Sequence, residues 1–118
     1  MAPLFWQARV YSMAAGRRLM VIETDLDALS NSVLDAIEAK QYGEAEKRCQ
    51  RLLLEYPEVI DGHERLATLR DVQGRFQEAA EHYSKALEMI ARTPKGFGLE
   101  AVRYITEKRD QALVKAKQ

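Results

Sequence analysis

The sequence predicts an all-α fold, a stack of antiparallel helical hairpins, and three observations lead to it. From Thr24 onward Ala, Leu, Glu, Lys, Arg and Gln dominate and only Pro57 and Pro94 interrupt them, a composition that favours helix on intrinsic propensity. Apolar residues recur at helical spacing: Leu29, Val33 and Ile37 at every fourth place, Leu66, Leu69 and Val72 at every third. Each set makes one stripe along a helix, and strand-like alternation is absent over the same span. The third observation is an echo. "AKQYGEAEKRCQRLLL" at 39–54 returns at 73–88 as "QGRFQEAAEHYSKALE", setting Tyr42, Glu44, Ala45 and Leu53 against Phe76, Glu78, Ala79 and Leu87.

Taken in order, residues 1–22 form an N-terminal extension with Arg9, Arg17 and Arg18 and no acid. Three readings stay open: a helix packing Trp6, Val10 and Met13 on the rest, a disordered extension upstream of a start at Met20, or an organelle-targeting peptide. A secretory signal does not fit, because Arg9 interrupts the apolar stretch. Residues 23–118 form the helical domain. Breaks are expected at Gly43, at Pro57 and Gly62, at Gly74 and at "TPKGFG" over 93–98, where helix interiors are least favourable. Five helices result, at about 25–39, 43–56, 60–73, 76–92 and 97–116.

Helix pairs recurring with a period of about 34 residues match one repeat architecture, and the residues identify it. The segment 60–93 resembles a tetratricopeptide repeat: Leu66 and Ala67 fill its Leu-small pair, Gly74 its turn, and Phe76, Ala79, Tyr83 and Ala86 its second helix. Its two aromatic places on the first helix hold His63 and Arg70 instead. The segment 26–59 is a weaker copy, with Tyr42, Ala45, Cys49, Leu52 and Pro57 at the corresponding places and Leu29, Ser32, Val33 and Ala36 on its first helix. A third unit starts near Pro94 with Phe97, Ala101 and Tyr104, then runs on without a turn, so 97–116 resembles a capping helix. The resemblance implies a right-handed α-solenoid in which small residues at Ala45, Ala79 and Ala86 admit close helix approach and Phe76 and Tyr83 fill the space.

Composition narrows the function. Eighteen bases balance 18 acids, which argues against nucleic acid or a membrane surface as partner. No apolar run approaches the roughly 20 residues that cross a bilayer. Cys49 is the single cysteine; it excludes an internal disulfide framework, and cytoplasmic is the default localisation. It is read as a small buried hydrophobe. His63 and His82 lie on different helices without metal-ligand spacing, and "PKGFG" lacks the spacing of a phosphate loop. No catalytic constellation, metal site or cofactor is expected.

A protein-interaction module remains. In tetratricopeptide arrays the first helices of successive units line a concave groove, and the resemblance carries this to Asp27, Ser30, Leu34, Ile37 and Glu38, then to Asp61, Glu64, Thr68, Asp71 and Val72. Lys95, Val102 and Ile105 follow from the cap. The first two units offer five acids, Asp27, Glu38, Asp61, Glu64 and Asp71, and no base. The groove is therefore expected to be mildly acidic with an apolar floor and to take a basic or amphipathic peptide or helix; the competing reading is that these acids are a solvated helix face or helix-start charges. The carboxylate clamp of chaperone-binding family members is matched by Lys95 alone among Ser30, Leu34, Arg65, Lys95 and Leu99, so chaperone tails are not the expected ligand. The alternatives are a self-assembling homodimer unit and a small secretion or assembly chaperone.

Overall fold

The computed structural model of the chain describes residues 10–14 and 17–20 as backbone, and residues 24–93 and 98–118 in full. From Thr24 on, the described residues form helices: α1 (Asp25–Glu38), α2 (Tyr42–Glu55), α3 (Asp61–Val72), α4 (Phe76–Ala91) and α5 (Leu99–Ala116). Each helix end falls within two residues of its sequence expectation. The extension departs from the helix reading. Strands β1 (Val10–Ala14) and β2 (Arg17–Met20) pair antiparallel, Val10 opposite Met20 and Tyr11 opposite Leu19, with an irregularity between Tyr11 and Met13. Val10 and Tyr11 are β-branched and aromatic, the residue types that fit a pleated ribbon best. Trp6 lies outside the described residues.

Helix α1 starts cleanly because the Thr24 hydroxyl accepts a hydrogen bond from the Asp27 amide at 3.0 Å, and Asp25 and Asp27 place negative charge in the first turn. The two hairpin turns are alike bond for bond. At the end of α3 the Gly74 amide donates to Asp71 O (3.0 Å) and the Arg75 amide to Arg70 O (2.8 Å), with Gly74 at φ 78°. At the end of α1 the Lys40 amide donates to Ile37 O (2.9 Å) and the Gln41 amide to Ala36 O (2.8 Å), with Lys40 at φ 60°. Both are the left-handed terminal motif that satisfies the last carbonyls of a helix. Lys40 occupies in the first pair the place that Gly74 occupies in the second.

Two glycines expected to break helices sit inside them. Gly43 lies within the first turn of α2, and the turn before it is made by residues 39–41. Gly62 is buried in the first turn of α3, where a Cβ would come 2.5 Å from Leu53 Cδ2 and 3.3 Å from the Leu53 backbone nitrogen. It serves close approach of α2 and α3 rather than a chain break. Pro57 does follow the end of α2.

Each helix packs on the next in the chain, and α1 also lies against α3. One core joins Leu29, Val33, Ala36, Ala45, Cys49 and Leu52 to Leu66 and Leu69 of α3. A second joins Ile60, Ala67, Ala79, Tyr83 and Ala86 to Ile105 and Ala112 of α5. Burial repeats with the same offset as the sequence echo: Val33 and Ala67, Ala45 and Ala79, Cys49 and Tyr83, Leu52 and Ala86 are buried in pairs. A small residue thus answers a larger one at several equivalent places, so the two helix pairs fill their cores differently.

Candidate functional site

The first helices of the two pairs, α1 and α3, lie side by side, and their contact consumes part of the groove read from the sequence. Ser30 is 2% exposed; its Oγ donates to Asp61 Oδ2 at 2.7 Å. Arg65 Nε donates to Ser30 Oγ at 3.0 Å and to Ser30 O at 3.2 Å. Ser30 and Asp61 therefore knit α1 to α3 and are not presented to a ligand. Arg65 supplies a base beside acids that sequence spacing leaves unopposed.

The remaining acids differ in what they offer. Burial pushes the Glu64 carboxyl above its ordinary range; Arg65 opposes that and Asp61 adds to it. Asp71 lies 3.8 Å from Lys115 Nζ of α5, and that ammonium also sits 5.4 Å from the Phe76 ring centroid. Asp27 is partly exposed and Glu38 exposed. Of these five acids Asp61 and Asp71 are engaged with partners, and Asp27, Glu38 and Glu64 are at least partly exposed. Thr68 Oγ1 donates to Glu64 O at 3.1 Å. Ile37 packs partly into the first core, and Ile105, expected on the groove floor, is 1% exposed in the second. Lys95 and Phe97 fall outside the described residues.

Where α3, α4 and α5 meet, Thr68, Asp71, Val72, Tyr83, Tyr104 and Lys108 line a cleft of about 280 Å³. Val72 is 49% exposed and Tyr104 53%, so two large apolar surfaces flank it. Burial pushes the Tyr83 hydroxyl up to about 12 against a hydrogen bond with Thr68, which keeps the phenol protonated at the cleft wall. Three of these six residues, Thr68, Asp71 and Val72, are legible in the sequence as groove places. Tyr104 is legible there only as a packing residue, and Lys108 is missed; their spacing of four on α5 puts them on one helical face, which is the signal available.

A wider cleft, about 460 Å³, opens between α1 and α2, with Arg48 and Arg51 in its lining. Its arginines are satisfied internally: Arg48 pairs with Glu44 at 3.0 Å and donates to Ser32 O at 2.8 Å, and Arg51 pairs with Glu55 at 3.0 Å. Cys49 is fully buried, and burial pushes its thiol up to about 12, with the Glu46 charge adding to the effect. A thiol so held is unreactive at neutral pH. His63 and His82, distant in sequence, are in contact. Among the described residues no group of three or more His, Cys, Asp or Glu side chains is arranged to hold a metal ion, and no helix is long and apolar enough to cross a membrane.

No family model matches the chain, and no curated protein and no solved structure matches it either.

Proposed function

We propose that this chain is a non-catalytic, tetratricopeptide-like interaction module whose α1–α3–α5 side receives a peptide or helix from a protein partner. The observation that supports this reading is the recurrence of one hairpin, with the same left-handed turn at Lys40 and Gly74 and the same buried places on α2 and α4. Repetition of a helical pair builds an extended surface on one side of the array, while the buried stripes of all four helices supply the packing.

The partner is best described as amphipathic. An apolar side chain seats between Val72 and Tyr104, with Asp71 and Lys108 at the rim of the same cleft, while Asp27, Glu38 and Glu64 favour basic residues alongside. Apolar anchors in a small cleft contribute most of the affinity and rim charges tune association.

Affinity capture from native lysate tests the proposal, with wild-type chain compared with Tyr104→Ala and Val72→Glu and with a control substitution on α4, Glu81→Lys. Loss of the same captured proteins in both cleft variants but not in the control is expected. An identical set of proteins in all four samples refutes the assignment of this face.

A further inference from the structure

Helices α3 and α4 bring His63 Nδ1 to 3.2 Å from His82 Nδ1. The ring centroids are 5.4 Å apart and the planes are inclined by 26°, so the two Nδ1 corners face one another across the helix interface. Nitrogens at that separation require a proton between them: one imidazole is the Nδ1–H tautomer and donates to the bare Nδ1 of the other. Among the described residues no third His, Cys, Asp or Glu joins the pair to complete a metal's ligand set. The contact therefore fits a shared proton and not an ion.

Its proton capacity is limited. With both rings neutral the hydrogen bond stands, and with one ring charged it becomes charge-assisted and stronger. When both are charged, each Nδ1 carries a hydrogen, the bond is lost and two like charges are left in contact. The surrounding charges bear on this balance. Lys85 of α4 acts against charge on both rings, Arg70 of α3 acts against charge on His82, and Glu81 of α4 favours it. Glu78 of α4 also feels His82, and Glu46 of α2 is taken up by Arg70.

We propose that the His63–His82 contact is an acid-sensitive latch between α3 and α4, closed while at least one imidazole is neutral and released when both are protonated. Burial holds both imidazoles below their ordinary value of 6.5. The latch thus contributes fully above that pH and its contribution is lost as pH falls from there through the depressed folded values. This inference is independent of partner binding.

Thermal melts of the full chain at about pH 7.5 and about pH 5 test it, comparing wild type with His63→Asn and His82→Asn. An asparagine amide keeps a partner for the remaining imidazole but does not titrate. The wild-type Tm is expected to fall by about 4 °C more than that of either variant; equal falls in all three overturn the latch. Nuclear magnetic resonance titration of the wild-type imidazoles needs no variant. Two mutually dependent steps, the second well below the ordinary histidine range, are expected, and two independent titrations in the ordinary range overturn the proposal.

Discussion

Arg70 shows how a single residue sets the character of this fold. It stands on α3 at a place where the resembling repeat carries an aromatic, and it is 9% exposed. Its guanidinium grips Glu46 of α2 through Nη1 at 2.7 Å and Nη2 at 3.0 Å, while Nε lies 3.6 Å from Glu78 Oε1 of α4 and makes no hydrogen bond. One side chain thus ties three helices together where an aromatic would only fill volume. Its hydrogen bonds hold the Glu46 carboxyl below its ordinary value of 4.5, against the opposing effect of burial. The pair's contribution is therefore present above that pH and lost as pH falls through the depressed value. Arg70→Ala is expected to cost about 2–4 kcal/mol in urea denaturation near neutral pH, because it removes the packing of the buried stem together with the ion pairs to Glu46 and Glu78. Arg70→Met is expected to cost less than half of that, since Glu46 and Glu78 reach water, and to flatten the acid limb of the stability profile. Equal losses for Ala and Met would show that packing around the stem contributes nothing. Sequence spacing exposes Arg70 as an oddity but not its partner Glu46, because that pairing depends on how α2 and α3 are rotated against each other.

At the scale of the element, helix existence was legible and the turn chemistry was only half so. Gly74 announces a left-handed residue because glycine reaches positive φ without strain. Lys40 makes the same turn without that signature, and the nearby Gly43 draws the expected boundary toward itself although it lies inside α2. Gly62 misleads in the opposite sense. It reads as a breaker, whereas α2 passes so close to it that Leu53 fills the space a Cβ would take. These two sites predict substitutions of opposite sign, measured by chemical denaturation. Lys40→Gly is expected to stabilise by about 0.5–1 kcal/mol, since it relieves a left-handed residue with a Cβ. Gly62→Ala is expected to destabilise by about 1–2 kcal/mol, because overpacking against Leu53 outweighs the gain in helix propensity. A stabilised Gly62→Ala chain would mean that α2 and α3 are farther apart than described.

For the molecule as a whole, the recurrence of one hairpin separates the residues that pack from those left to face outward. Tyr83, Ala79 and Cys49 were legible as core residues because their periodicity points one way along each helix, and all three are buried. The groove was less legible. Ser30 and Asp61 bind α1 to α3, and Ile105 belongs to the core, since a residue near the seam of two helices packs or faces outward according to a few degrees of rotation. Tyr104 moves the other way, from expected packing to an exposed flank of the cleft. In the proposed module α2 and α4 form the far side, and the outward faces of α1, α3 and the first turns of α5 the working side. Amide hydrogen exchange of the full chain, alone and bound to a protein retained by capture, tests this division most directly. Slower exchange on binding is expected along α1, α3 and the first three turns of α5, with α2 and α4 unchanged. Slowing confined to α2 and α4, with none on α3 or α5, would contradict it.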